Sequence, residues 1–253
     1  MFIQNCISIF SKYGSSLLLG VRTTLLVSLT GTALGLMLGL LVGGFRAVKL
    51  DYTAGPAARF IKKFFDLLAN IYITVFRGTP MMVQALFIYF SLLNVFHWSY
   101  LTAAITVISI NTGAYMAEII RSGIQAVDPG QTEAARSLGM SNAQTMMTVV
   151  LPQAIHNAFP ALGNELIVNI KDSSVLMIIS VTELMFQAKS IAGSTFHFSE
   201  VYFIEAMIYL ILTSIASLIL NFIEKHMNKV SVSVPMSDTD PKSINYASRK
   251  QAE

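Results

Sequence analysis

Charge is what this sequence has least of. Only 12% of its 253 residues are Asp, Glu, Lys or Arg, roughly half the share of an ordinary soluble domain. Residues 23–45, 78–117 and 206–223 carry none at all. A membrane span takes about 20 predominantly apolar residues. Each run is therefore of crossing size, and the longest exceeds what one buried helix of a soluble protein would use. Cysteine is equally scarce. The lone Cys6 excludes an internal disulfide framework, and His97, His156, His197 and His226 are scattered, with no Cys/His spacing for a metal. The motifs G-x-x-x-x-G-K-S/T, H-E-x-x-H and G-x-S-x-G are all absent, which leaves no phosphate loop, zinc hydrolase or serine hydrolase to consider. No catalytic residue, metal or cofactor is expected on this chain. Its net charge of +3 gives no ground for nucleic acid binding. The N-terminus lacks a basic n-region and a small-residue cleavage site, so a removable signal peptide is not expected.

What is present is apolar helix. The sequence predicts an all-α polytopic membrane protein with five spans, at about residues 17–45, 82–96, 101–119, 161–181 and 201–223. Gly31, Gly35, Gly39 and Gly43 recur every four residues in the first span, a pattern that permits close helix contact within the chain or with a second copy. Residues 64–76 are apolar too, but "RGTP" at Arg77, Gly78, Thr79 and Pro80 interrupts them. Gly78 and Pro80 should break or kink a continuous helix. Residues 64–76 then either extend the second span or lie along the interface. Trp98 and Tyr100 form an aromatic turn suited to headgroup level.

Domain boundaries follow from this reading: an extracytoplasmic N-terminus at 1–16, a transmembrane domain at 17–229, and a disordered Ser/Asp/Lys/Pro-rich tail at 230–253. Lys and Arg cluster at residues 46–63, at Arg121 and Arg136, and after Glu224. The positive-inside rule then puts the N-terminus outside and the C-terminus in the cytoplasm, and an odd number of spans agrees.

The longest polar loop, 128–153, is unusually well punctuated. Asp128 is an N-cap candidate, Pro129 fits the first helical position, and Gln131 could complete a capping box. Gly139 is a natural stop. Ser141 and Gln144 form a second capping box, and Pro152 should end that second helix near Val150. On residues alone, such a helix–glycine–helix elbow serves equally to close off a bundle or to dock a partner.

The spacing adds more. "EAARSLGMSNAQTMMTVVLP" fits E-A-A-x3-G-x9-I-x-L-P, with Val149 in place of isoleucine. It resembles the EAA loop of importer permeases in the ATP-binding-cassette (ABC) superfamily. "FRGTPMMVQALFIYF", "NTGAYMAEIIRSGIQAV" and "ALGNELIVNIKDSSVLMIISVTEL" are similar to permeases of the polar amino acid uptake branch, with His156 where that branch often has arginine. The resemblance implies a multi-pass protein of the bacterial cytoplasmic membrane. It also implies that Glu133, Ala134, Ala135, Gly139, Leu151 and Pro152 contact a separate ATPase subunit, which would hold the ATP and Mg. A second permease copy or a related chain, an external substrate-binding protein and a polar amino acid, glutamine or a relative, complete the implied partners.

A zwitterionic cargo needs groups for an ammonium and a carboxylate, and ionisable residues inside a membrane often line a pathway. Glu165, Asn111, Tyr115 and Asp172 are the candidates. Plainer roles stand beside these: Glu165 in a first helical turn, Glu118 paired with Arg121, Lys171 paired with Asp172. Arg77, Gly78 and Pro80 are read as gating or structural, and Met140, Met146, Met147, Met177 and Met185 as packing residues. The competing classes are a stand-alone ion-coupled transporter or channel, supported only by the buried charges, and a membrane scaffold that recruits a partner without transport. No inverted repeat supports the former.

Overall fold

The computed structural model describes residues 1–47, 50 and 55–231, and every described element is helical. In chain order these are α1 (Phe2–Ala47), α2 (Pro56–Gly78), α3 (Met81–Phe96), α4 (Tyr100–Gln125), α5 (Pro129–Ser137), α6 (Asn142–Thr145), a π turn (Met146–Val150), α7 (Leu151–Asp172), a 3-10 segment (Ser173–Ile179), α8 (Leu184–Thr195) and α9 (Phe198–Ser231).

Three of these helices, α1, α4 and α9, are long and apolar enough to cross a membrane alone; the total reaches five if each of two bent pairs is one span. The α2–α3 pair bends by 114° at the predicted break. Gly78 ends α2 and Pro80 stands at the N-cap of α3. Residues 64–76 therefore belong to a helix of their own and do not extend 82–96 in a straight line. The second bend, of 57°, separates α8 from the body before it. Helix α8 was not foreseen. Glu183, fully buried, caps it by accepting from Met185 N at 2.8 Å and Phe186 N at 2.7 Å, and Tyr209 Oη donates to the same carboxylate at 3.2 Å.

Helix α1 begins at Phe2 rather than near residue 17. Its 46 residues span about 69 Å at 1.5 Å each, far beyond a hydrocarbon core of about 30 Å. The residues read as an N-terminal extension are the first turns of this helix, held by Asn5 Nδ2 donating to Glu200 Oε1 at 3.0 Å and by the edge contact of Phe2 with Phe203. The glycine row faces α4. A Cβ at Gly35 would stand 2.8 Å from Thr112 Cβ, and one at Gly39 would stand 2.5 Å from Met116 Cβ. The close contact is made within the chain, which leaves that face unavailable to a second copy. Helix α9 runs through Val230 to Ser231, past the expected tail boundary; the remainder of the tail, 232–253, lies outside the described residues.

One polar knot ties three helices together. Asn169, on α7 and 3% exposed, donates Nδ2 to Thr32 Oγ1 on α1 at 2.7 Å and exchanges bonds with Thr112 Oγ1 on α4 at 3.0–3.1 Å. Ser28 Oγ donates to the Asn169 carbonyl at 3.1 Å. In lipid, a polar side chain finds its partners on neighbouring helices, so this knot fixes how α1, α4 and α7 cross.

Candidate functional site

Two regions stand out: a cleft among the membrane helices and the elbow between α4 and α7. On α4, Tyr115, Glu118, Ile119 and Ser122 fall at i, i+3, i+4 and i+7, one face of a helix. On α7, Ala158, Ala161 and Glu165 fall at i, i+3 and i+7, with Asn157 one turn before Ala161. These two faces and Arg77, from the end of α2, line a cleft of about 410 Å³. The Arg77 guanidinium lies 5.4 Å from the centre of the Tyr115 ring, within cation–π range. Glu118 is held by Arg121, whose Nε donates to its Oε1 at 2.9 Å, so the plainer pairing read from the sequence is the one made. The cleft thus offers a carboxylate, a guanidinium and a phenol to one small volume.

Of the residues expected to share this site, Glu165 and Tyr115 do so. Arg77, read as part of the helix break, joins them. Asn111 does not: its Nδ2 donates to Gln84 Oε1 at 2.9 Å and to Phe76 O at 3.3 Å. Asp172, at the end of α7 two turns beyond Glu165, is not part of the cleft lining.

Asn111 serves the break between α2 and α3. Backbone carbonyls freed there need partners inside a membrane. Gln84, 6% exposed, supplies them: its Nε2 reaches Phe76 O and Thr79 O at 2.9 Å and Thr79 Oγ1 at 2.8 Å. Gln84 was missed in the sequence, although a lone amide inside "MMVQALF" was the available signal. Tyr72 fixes the same end of α2 by donating its hydroxyl to Ile110 O. Together these bonds hold the backbone that carries Arg77.

The elbow follows its sequence signals with two exceptions. Asp128 caps α5 through Gly130 N at 2.8 Å, with Pro129 in the first turn. Among the described residues no capping bond involves the Gln131 side chain; its backbone N–H goes to Asp128 O at 3.0 Å, while the Asp128 carboxylate accepts from Gly130 N. Gly139 has φ +83°, the left-handed stop that a Cβ disfavours. Ser141 and Gln144 form the full reciprocal capping box.

Pro152 does not end the second limb. The chain continues from α6 through the π turn into α7, where Leu151 N donates to Met146 O, five residues back. Widening the turn by one residue tolerates a proline that would clash in a regular α-helix. The second limb and α7 are therefore one helical body.

Exposure sorts the expected contact residues. Glu133, Ala134, Gly139 and Pro152 are exposed, Ala135 is buried, and Leu151 is half-buried against the cluster of Met116, Ile120, Ala158 and Leu162. Leu151 thus packs the elbow onto the helices, and Ala135 is turned away from solvent. Leu138, 83% exposed, and Met147, 60% exposed, present apolar surface there instead; Met147 is no packing residue. Val127, Val150 and Ala154 anchor the base of the elbow. Among the described residues, no His, Cys, Asp and Glu group is arranged to hold a metal.

Residues 35–229 match the family described as binding-protein-dependent transport system inner membrane component. The glutamine transport system permease protein GlnP of Escherichia coli (strain K12) is 38% identical over 215 residues, covering 82% of this chain and 91% of that protein. The probable amino-acid ABC transporter permease protein YckA of Bacillus subtilis (strain 168) is 39% identical over 207 residues, 81% of this chain and 86% of that one. Among solved structures, an amino acid ABC transporter crystallised with histidines superposes with a TM-score of 0.74 at 40% identity, covering 86% of this chain and 96% of the other. The inward-facing MetNI methionine ABC transporter has a TM-score of 0.71 at 21% identity, over 85% and 98% of the two chains, a likeness of fold.

Proposed function

The chain belongs to the family of binding-protein-dependent transport system inner membrane components, as a permease of the polar amino acid kind and not an enzyme, and we propose that it couples ATP hydrolysis on a separate subunit to import of a polar amino acid. The observation that carries this reading is the continuous helical body from α6 through α7. It has the exposed elbow at one end and Glu165 in the cleft at the other. A partner that contacts the elbow differently in two nucleotide states biases the permease between two conformations, and the shared helix transmits that difference to the cleft.

In this scheme Glu133, Ala134, Gly139 and the exposed Leu138 dock the ATPase subunit on the cytoplasmic side, with the N-terminus outside. ATP and Mg stay on that subunit. Glu165 takes the cargo's ammonium, Arg77 its carboxylate, and Tyr115 steadies Arg77. Asn157, Asn164 and Lys171 are exposed on α7. Polar groups within a span avoid lipid and line a protein or water interior, which supports a second permease copy or a related chain facing them across the pathway. Family membership supports an external substrate-binding protein and the bacterial inner membrane. The GlnP relative supports glutamine or a close analogue as cargo.

The test is mild-detergent purification of the tagged chain from its native membrane, followed by proteoliposome uptake of labelled glutamine. A stoichiometric ATPase subunit that Gly139→Pro releases, with uptake that stops without ATP, is the expected result. A chain free of any ATPase that moves an amino acid down an ion gradient overturns the reading.

A further inference from the structure

A second cavity, of about 530 Å³, lies where the ends of α1 and α4 meet the elbow. Two buried polar atoms on its walls make no hydrogen bond among the described residues. Arg46, near the end of α1, donates from Nη2 to Asn70 Oδ1, but its buried Nη1 finds no hydrogen-bond acceptor among the described residues and stands 3.7 Å from Glu118 Oε2. Thr145, on the elbow and only 2% exposed, has a buried hydroxyl that is likewise without a partner. Leaving such groups unmatched away from water is unfavourable. Both line this cavity.

Arg121 lines it too, already bound to Glu118. One carboxylate therefore serves two guanidiniums, and the trio keeps an excess positive charge. Glu133 stands on the elbow wall, but it is exposed, so water weakens its opposing field. Nearby on α2, Lys62 reaches back to the Arg46 carbonyl but is paired with Asp66, so the excess charge here is that of Arg46 and Arg121. The remaining lining includes Val127 and Met146, apolar surface that suits the first methylenes of a lipid's acyl chains. Basic pockets between helix ends at leaflet level bind anionic headgroups.

We propose that this cavity binds a phosphate-class anion, either the headgroup of an anionic lipid or free phosphate, through Arg46, Arg121 and the Thr145 hydroxyl. Those three residues come from α1, α4 and the elbow, so an occupant ties the elbow to the membrane helices. The site adjoins the substrate cleft through Glu118, which lines the cleft and pairs with both Arg46 and Arg121, but its binding readout is independent of transport.

The full-length chain in detergent is titrated with dioleoyl phosphatidylglycerol, dioleoyl phosphatidylcholine or inorganic phosphate, with bound species counted by native mass spectrometry and stabilisation followed by thermal unfolding. Saturable binding of phosphatidylglycerol over phosphatidylcholine is expected. Thr145→Val, which keeps the side-chain shape, should weaken it about tenfold, as for one charge-assisted hydrogen bond. Thr145→Ser should restore it. Inorganic phosphate that binds alone, with the same loss in Thr145→Val, supports the site with a free anion as its occupant. Equal binding of the two lipids with no phosphate binding overturns the proposal. So does anion binding that neither Thr145→Val nor Arg46→Gln changes.

Discussion

Asn111 donates to Gln84 across 2.9 Å, and through this bond α4 grips the gap between α2 and α3. The Gln84 amide nitrogen reaches three oxygens of the broken turn, so the pair substitutes for helical hydrogen bonds that Gly78 and Pro80 remove. Arg77 enters the cleft from that same turn.

Removing either amide should therefore disturb a residue it does not touch. Gln84→Leu takes the donor from Thr79 O, leaves Phe76 O only the longer bond from Asn111 and leaves the Asn111 amide without its acceptor, at about 1–3 kcal/mol, and should lower the Tm of the purified chain. It should also raise the KM for uptake by loosening Arg77. A fall in Tm with KM unchanged would mean the clamp is structural alone.

The cleft makes a chemical prediction. Glu165→Gln keeps shape and removes charge, and Arg77→Gln does the same for the opposite sign. Each should raise the KM for a zwitterionic amino acid roughly tenfold or more, as for a lost charge-assisted bond, while surface expression stays near wild type. Uptake and expression falling in parallel would return Glu165 to a packing role.

Helix contact can be tested through the glycine row. Gly39→Ala places a Cβ against Met116 and the Ala117 backbone, and Gly44→Ala meets nothing within 4 Å. The first should cost about 1–3 kcal/mol of overpacking, and the second should be neutral or slightly stabilising. Thermal unfolding of the two variants side by side decides it.

For the elbow, Gly139→Ala strains a residue at φ +83° by about 1–2 kcal/mol. Gly139→Pro also removes the N–H that reaches Arg136 O and fixes φ near −65°. Uptake should fall modestly in the first and disappear in the second, with both proteins inserted. Fractionation and uptake in one strain check this; full activity in the proline variant would end the docking role.

The knot at Asn169 should show coupling. Asn169→Leu and Thr112→Val each break one exchange of bonds, and a double-mutant cycle should return about 0.6 kcal/mol, at most about 1.7, as for hydrogen bonds between membrane helices. Additive losses would mean the two side chains do not act together.

Much of the fold was legible because its signals are local. The glycine row, the break at Gly78 and Pro80, and the Ser141–Gln144 box each depend on residues within a few positions of one another. Misreadings came where tertiary contact overrides local preference. Pro152 reads as a stop until the turn before it widens, and the role of Asn111 at the α2–α3 break shows only once Gln84 arrives from another helix. Asn169 and Glu183 were visible as polar residues in apolar runs, but their partners lie on other helices. The cleft was half legible: Tyr115 and Glu165 stood out by type, and only the docking of α2 against α4 brings Arg77 to them.

The π turn at Met146–Val150 takes up a residue while keeping the heading of the elbow. An α-helix advances about 100° per residue, and this turn holds one residue more than a regular one. Deleting a single residue here, such as Thr148, would restore an even winding and leave the elbow on nearly the same heading. Deleting one from the regular part of α7 would instead swing everything before it by about 100° about the helix axis. Glu133 and Leu138 would then point to a different quarter of the compass, with every side chain of the docking face still present.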